Sequence, residues 1–340
     1  MAKLQTPAEK KSVGAFLLGL VRHQLFIPLA ALMLLVIFNL IADPSFFKIT
    51  LGQNNAGDPV LSGYLITILN NASELAILAI GMTLVTAASG GQDISVGATI
   101  AIAGSVMLRV LCGDAGARPE TMQAPIIVAF LVACVAAILC GAFNGTLVAY
   151  FKIQPMVATL IMFTAGRSIA AWINNNELPI ISDVSFGYFG NFIPGIPIPT
   201  PVFIAVACMI AIALVLKFTN LGLYTQSVGI NAESSRLNGM NPAFIKFLTY
   251  VILGLCVAVA LGGNALSGGK FNMTASILGA YVIQFLTTTL YKFNVASDAL
   301  PAYKAVVVIV LVVMSAPVVR ERLAKLWKQI APQKAAKEAK

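Results

Sequence analysis

Charged residues are scarce in this sequence. Asp, Glu, Lys and Arg together make up 10% of the 340 residues, whereas 59% are hydrophobic. A soluble domain carries roughly a quarter charged residues, so this chain has too little polar surface to stay in water. The composition excludes a soluble globular protein and predicts an integral membrane protein.

Residues that bind metals or catalyse hydrolysis are also few. The single histidine, His23, lies in the basic N-terminal segment, and none of the five cysteines stands in C-x-x-C spacing. The sequence therefore offers neither a disulfide framework nor a metal-ligand cluster, and no pairing of nucleophile and base stands out. We expect no metal site, no directly bound cofactor and no enzymatic activity in the chain itself.

The basic residues collect near the two ends of the chain. The net charge is +9, but the lysines and arginines are not spread along one face or interleaved with aromatic residues. Such clusters beside apolar segments are retained on the cytoplasmic side of a membrane, so they indicate topology rather than nucleic-acid binding. We predict one transmembrane domain over residues 1–340, with cytoplasmic basic tails at 1–24 and 320–340.

Long apolar runs predict where the chain crosses the membrane. A helical span needs about twenty mostly apolar residues, and nine segments fit that template. The predicted fold is therefore all-α, a polytopic transmembrane helical bundle of about nine to ten spans. The nine segments are 25–42, 63–89, 94–112, 124–150, 155–174, 200–217, 243–262, 272–291 and 304–319.

The distribution of charge between these spans is consistent for the first six. With the N-terminus inside, Lys152 and Arg236 fall inside, and the outer loop 175–199 contains no lysine or arginine. An odd number of spans, however, places the basic segment Arg320–Lys340 outside, against the positive-inside rule. The sequence thus predicts that one crossing in the C-terminal third is missing from the count.

The stretch AASGGQDISVGA places glycines and one carboxylate between two apolar runs. Asp93 can cap a helix that starts at Ile94, because a carboxylate accepts hydrogen bonds from unpaired N–H groups and favours the positive end of the dipole. A glycine-rich break beside a helix start can also form a gate in a transporter. The residues of this candidate inner gate are Gly90, Gly91, Asp93, Ser95 and Gly97.

A second polar stretch follows the sixth predicted span. Asn231 can cap a short helix that carries Glu233 and Arg236 and stops at Gly239. Such a helix can simply connect two spans, or it can dock a cytoplasmic partner. Both interpretations are open at this point.

Two charged residues lie within predicted spans, where they are costly without a partner or a wet cavity. In one interpretation Arg167 reaches the outer interface and Glu74 faces a polar neighbour such as Asn71; in the other, both line a polar path. Asn144 stands among small residues, which favours helix packing, although it can also contact a solute. The candidates for a translocation path are Glu74, Asn144, Thr159, Thr164, Arg167, Asn264 and Ser267.

Four stretches occur in an order that one known family shares. They are LAIGMTLVTAASGGQDISVGA, GAFNGTLVAYFKIQPMVATLIMFTAGRSIA, YTQSVGINAESSRLNGM and ALGGNALSGG. The first resembles the G-G-x-D-[LI]-S-V-G segment of the membrane subunits of ABC importers for ribose, galactose and related monosaccharides. The second is similar to that family's fourth and fifth spans, the third to its cytoplasmic helix that contacts the ATPase, and the fourth to its late glycine-rich turn.

The chain departs from the family at few positions. Gln92 replaces an apolar residue, and Lys270 and Phe271 replace small ones. The larger departure lies before Gly262, where the family carries an outer loop and most of another span. The resemblance thus implies that about one span is absent there, which matches the crossing that the charge distribution requires.

The resemblance implies a permease subunit that imports a small sugar across the cytoplasmic (inner) membrane, with both termini in the cytoplasm. It also implies several partners: a second permease subunit, a cytoplasmic ATPase that uses ATP, an extracytoplasmic sugar-binding protein and the surrounding lipid. The helix of Asn231, Glu233, Arg236 and Gly239 would then couple the permease to the ATPase. The alternative is a stand-alone secondary transporter or channel for a small polar solute.

Overall fold

Helices dominate the computed structural model. It describes residues 26–53, 59–114, 119, 121–177, 179–181, 184–190, 192–193, 195–260 and 273–315. The long helices are α1 (Phe26–Ala42), α2 (Tyr64–Ser89), α3 (Val96–Cys112), α4 (Ile126–Ala149), α5 (Pro155–Ile173), α7 (Thr200–Phe218), α10 (Pro242–Val259), α11 (Met273–Lys292) and α12 (Leu300–Ser315). The short helices are α6 (Val184–Gly190), α8 (Leu221–Ile230) and α9 (Ala232–Leu237).

Each of the nine apolar runs coincides with one long helix to within a few residues. Among the described residues, α2, α4, α5, α7 and α10 are long and apolar enough to cross a membrane. Shorter apolar helices lie within α1, α3 and α12. The prediction of an all-α transmembrane bundle is confirmed.

Several short elements were not predicted. A one-turn 3-10 helix (Pro44–Phe47) follows α1, and strands β1 (Thr50–Gln53) and β2 (Pro59–Ser62) form an antiparallel pair with Thr50 opposite Ser62. Helix α6 lies in the segment that was predicted as a loop, and α8 precedes the predicted polar helix. These elements are too short for a template of about twenty apolar residues.

Helices α4 and α10 pack with their backbones in contact. A Cβ atom on Gly141 of α4 would clash with the backbone carbonyl of Tyr250, and one on Gly254 of α10 would lie 2.5 Å from the carbonyl oxygen of Ala137. Glycine at both positions lets the two helices approach closely. This pair, with α2 beside α10, forms the core of a compact unit that comprises residues 43–284.

A second compact unit joins α1 to residues 285–315. The side-chain amide of Asn39 donates hydrogen bonds of 2.9 Å to Thr289 Oγ1 and to the carbonyl oxygen of Leu35. The rings of Phe38 and Phe293 lie 5.7 Å apart between centroids. Helices α1 and α12 also contact each other, while one transmembrane domain over the whole chain stays a prediction.

Some predictions concern residues outside the described ranges. These are the two basic tails, 1–24 and 320–340, the path candidates Asn264 and Ser267, and the segment at Gly262 where a span is expected to be absent. For them the sequence-based statements above stand as predictions.

Candidate functional site

The turn between α2 and α3 depends on two adjacent glycines for different reasons. Gly90 ends α2 in the left-handed region, with φ of 70°, a conformation that glycine adopts without a steric penalty. Gly91 lies against Pro155 at the start of α5, and a Cβ atom there would come 2.6 Å from the Cβ of Pro155. Gly97, the third glycine of the candidate gate, has no atom within 4 Å of an added Cβ.

Asp93 lies in this turn with only 4% of its surface exposed. Its Oδ1 accepts hydrogen bonds from the backbone N–H of Ser95 at 2.7 Å and from the Ser95 hydroxyl at 2.6 Å. Asn144 of α4 donates its side-chain amide to Asp93 Oδ2 at 3.3 Å and to Ser95 Oγ at 2.8 Å. Three side chains thus form a buried polar group that joins the turn to α4.

The predicted cap therefore needs correction. Helix α3 begins at Val96 rather than at Ile94, and Ser95 is its N-cap residue. The Asp93 carboxylate accepts the N–H of Ser95 instead of an N–H of the first helical turn. The two-residue shift follows from the hydrogen bonds with Ser95, which hold the backbone in a turn up to that residue.

Thr159 connects the same turn to α5. Its hydroxyl oxygen accepts a hydrogen bond of 3.2 Å from the backbone N–H of Ile94 and donates one of 2.9 Å to the carbonyl of Pro155. Thr159 is completely buried. We refer to Asp93, Ser95, Asn144 and Thr159 as the Asp93 cluster; it binds the turn to α4 and α5 at once.

Burial and hydrogen-bond donors act in opposite directions on the carboxyl group of the Asp93 cluster. Burial raises the pKa of the Asp93 carboxyl, and the hydrogen bonds from Ser95 and Asn144 oppose that shift. Among the described residues Asp93 has no ion-pair partner. The donors of Ser95 and Asn144 therefore carry the stabilisation of the buried carboxylate.

Tyr250 of α10 was not predicted to belong near this site. It is completely buried, and its hydroxyl lies near Ser89 at the end of α2. Oδ1 of Asn144 has no hydrogen-bond partner in the described part of the chain. The Cβ of Tyr250 would lie 3.0 Å from a Cβ on Gly145, the residue next to Asn144. The pair Gly141 and Gly145 is the sequence signal for this packing, because small residues four apart share one face of a helix.

The short polar helix and its cap are confirmed as predicted. Asn231 Oδ1 accepts a hydrogen bond of 3.0 Å from the backbone N–H of Ser234, and Gly239, just beyond the end of α9, has φ of 80°. Glu233 and Arg236 form an exposed ion pair of 2.8 Å. Two apolar side chains, Ile230 at the end of α8 and Leu237 at the end of α9, are 86% and 81% exposed.

Helix α8 packs directly on the last turn of α2. A Cβ atom on Gly229 would collide with the backbone carbonyl oxygen of Ala87, so the two backbones touch at this point. Ala87 is two residues from the end of α2, and Gly90 follows that end. Because α9 follows α8 after the single residue Asn231, the exposed polar helix is mechanically connected to the glycine turn.

The remaining path candidates do not share one environment. Thr164 is exposed, and its hydroxyl donates to the carbonyl oxygens of Leu160 and Ile161 in its own helix. The guanidinium carbon of Arg167 lies 4.4 Å from the centre of the Phe163 ring. No ion pair joins Arg167 to Glu74 among the described residues.

Glu74 lines a cavity of about 750 Å³. We call it the Glu74 cavity; its walls come from α2, α3, α4, α6, α7 and the end of α10, and they are almost entirely apolar. On α4 the lining residues lie at the start of the helix, whereas Asn144 of the Asp93 cluster lies near its end. Residues that define the walls include Ile77, Met107, Phe130, Phe186, Ile204 and Ala260.

Comparison with known proteins gives one family and several relatives. Residues 64–263 match the family described as "Branched-chain amino acid transport system / permease component". The chain is 36% identical to the galactofuranose transporter permease protein YtfT of Escherichia coli (strain K12), over 84% of this chain and 88% of that protein. No solved structure shows a significant match.

Two further relatives extend this similarity over most of the chain. The fructose import permease protein FruF of Bifidobacterium longum (strain NCC 2705) is 33% identical over 91% of this chain and 92% of its own length. The ribose import permease protein RbsC of Escherichia coli (strain K12) is 31% identical over 84% of this chain and 92% of its own length. The resemblance to sugar permeases that the four motifs indicated is confirmed.

The alignments with these relatives contain more positions than the number of residues of this chain that take part in them. The first contains 317 positions and covers 84% of 340 residues, which is about 286 residues. About 30 aligned positions, enough for one span and a loop, therefore have no residue in this chain. The family match itself ends at residue 263, beside the place where the sequence predicts an absent span.

Proposed function

The chain belongs to the permease family named above, and from this premise we propose that it carries a monosaccharide, or a similar small polyhydroxylated solute, into the cell. It is a multi-pass membrane protein and the transport subunit of an ABC importer for sugars, not itself an enzyme. The relatives that support the sugar assignment are named for galactofuranose, fructose and ribose.

The energy for uphill transport comes, in this proposal, from separate partner subunits. A cytoplasmic ABC ATPase hydrolyses ATP, an extracytoplasmic binding protein delivers the sugar, and a second permease subunit completes the pathway. A permease moves solute uphill only when nucleotide binding in a partner favours one of its two facings. The chain must therefore contain a surface for the ATPase and a connection from that surface to its gate.

The contact between α8 and α2 is the observation that carries the mechanism. The ATPase docks on α9, where the ion pair of Glu233 and Arg236 and the side chain of Leu237 are exposed, and on Ile230 at the adjoining end of α8. A displacement of α9 moves α8, which meets the end of α2 at Gly229. The glycine turn that follows then shifts against the Asp93 cluster, and the inner gate changes state.

The orientation follows from the same assignment. Helices α8 and α9 face the cytoplasm, and so do both termini of the chain in the inner membrane. An absent crossing before Gly262 reconciles this orientation with the basic C-terminal tail, and the gap of about 30 aligned positions supports it. Sequencing codons 255–265 of the gene in several independent copies tests whether the absence is natural. If it is, the reading frame is uninterrupted in every copy; if it is a defect of one copy, the others contain the missing codons.

Charge reversal on α9 tests the docking surface. In proteoliposomes that contain the ATPase and the binding protein, we expect Glu233→Arg and Arg236→Glu each to reduce ATP-dependent uptake at least about tenfold, because each reverses one charge of the surface and breaks the ion pair. The double variant Glu233→Arg/Arg236→Glu keeps an ion pair within α9 and controls for loss of the helix itself. Full coupling in both single variants would refute the assignment.

A matched pair of glycines in α8 tests the connection. Gly229→Ala should uncouple ATP hydrolysis from uptake, because its Cβ has no room beside the Ala87 carbonyl. Gly222→Ala in the same helix should be tolerated, since the nearest atom to its Cβ is 3.5 Å away. Equal coupling in the two variants, measured as sugar moved per ATP hydrolysed, would exclude this route.

The same proteoliposomes test the alternative, a stand-alone transporter. Uptake should require both the ATPase and ATP, and it should not respond to a proton or sodium gradient. Gradient-driven uptake by the permease without its partners would favour the alternative. A panel of loaded binding proteins that stimulate ATP hydrolysis then identifies the sugar.

A further inference from the structure

The Glu74 cavity contains an unusual combination for a sugar carrier: apolar walls and one carboxylate. We propose that it is a binding site for a small organic cation with a single protonated amine on an apolar body. This site goes beyond the proposed transport of sugar.

The walls disfavour a sugar in this cavity. Every hydroxyl of a monosaccharide gives up hydrogen bonds to water when it is buried, and each loss is costly without a new partner. Apart from Glu74, the described lining offers glycine, alanine, proline and large apolar side chains such as Ile77, Met107 and Phe130. The cavity therefore suits an apolar body rather than a polyhydroxylated one.

The carboxylate supplies the specificity. Glu74 makes no ion pair with a basic side chain in the described part of the chain, and Arg167, the other charge within a predicted span, lies over the Phe163 ring. A carboxylate within a membrane span requires a partner or a wet cavity. An ammonium group of a ligand provides that partner through a charge-assisted hydrogen bond.

Size and access agree with a small-molecule ligand. A volume of about 750 Å³ falls within the roughly 300–1,000 Å³ that ligand pockets usually have. Ile127 lines the cavity and is 70% exposed. The cavity thus adjoins the apolar surface of the helices, and an amine with an apolar body can reach it from the lipid.

Two probes of one shape test the proposal. Adamantylmethylamine and adamantylmethanol share an apolar cage and differ in the amine, and their binding to the purified protein in detergent is measured by calorimetry. We expect the wild-type protein to bind the amine at least about tenfold more tightly than the alcohol. Glu74→Gln should abolish this preference, whereas Glu177→Gln, which removes an exposed carboxylate outside the lining, should retain it.

A wall variant provides an independent measurement. Ile204→Trp enlarges a lining side chain and should weaken binding of both probes without changing the preference for the amine. The proposal is overturned if wild-type protein binds neither probe, if it binds both equally, or if Glu74→Gln keeps the preference. The comparison of the two probes on wild-type protein needs no variant, so a failure of Glu74→Gln to fold does not leave the proposal untested.

Discussion

Asp93 and Glu74 are both carboxylates within one helical unit, yet their surroundings are opposite. Three donors from Ser95 and Asn144 surround Asp93. Glu74 lines an apolar cavity instead. Since desolvation penalises both charges, the difference lies in whether the chain itself supplies the compensating partners. The chain supplies hydrogen-bond donors to the Asp93 carboxylate, whereas the Glu74 carboxylate has no ion-pair partner among the described residues.

Removal of each carboxylate gives the largest predicted difference between the two regions. Asp93→Leu leaves the N–H and the hydroxyl of Ser95 without their acceptor and removes one of the two acceptors of the Asn144 amide, and we expect a loss of about 3 kcal/mol of stability. Glu74→Leu replaces a costly charge by an apolar side chain among apolar neighbours and should leave stability equal or higher. Apparent unfolding temperatures in detergent measure both effects; a similar fall in both variants would erase the distinction.

Close packing of the glycine turn against α5 gives an effect of intermediate size on stability. Gly91→Ala places a Cβ 2.6 Å from Pro155 Cβ, and overpacking of this kind costs about 1–3 kcal/mol. Gly97→Ala meets no atom within 4 Å and should not lower stability. If Gly97→Ala were as destabilising as Gly91→Ala, flexibility of the whole glycine-rich segment, rather than contact with α5, would determine the stability of the turn.

The smallest effect concerns single hydroxyl groups. Thr159→Val removes the acceptor for the N–H of Ile94 and should cost about 1 kcal/mol. Thr164→Val loses only hydrogen bonds to carbonyls of its own helix, and its side chain is exposed. We expect no measurable change in its unfolding temperature, so a loss equal to that of Thr159→Val would contradict the special role of the cluster.

The sequence predicts the long helices well because apolar length alone decides whether a segment crosses a membrane. It also predicts the cap at Asn231, which depends on residues three apart. The pairing of Asp93 with Asn144 joins positions 51 apart. Local pattern gives each residue a separate explanation, helix cap for one and helix packing for the other, but not their hydrogen bond.

The residues that the sequence did not reveal are those defined by contacts between helices. Pro155, Tyr250 and Gly229 matter because of what lies against them across the bundle. Neither the composition nor the spacing of a single helix contains that information. Similarly, the pattern marks Glu74 as a costly charge within a span, but the apolar character of the cavity depends on six helices together.

The direct backbone contact between α4 and α10 has a practical consequence for measuring transport. Because the two helices touch at Gly141 and Gly254, we expect them to move as one body. Spectroscopic labels on this pair should report a constant distance throughout the transport cycle. This pair would serve as a fixed internal reference for measuring the displacement of α8 and of the glycine turn.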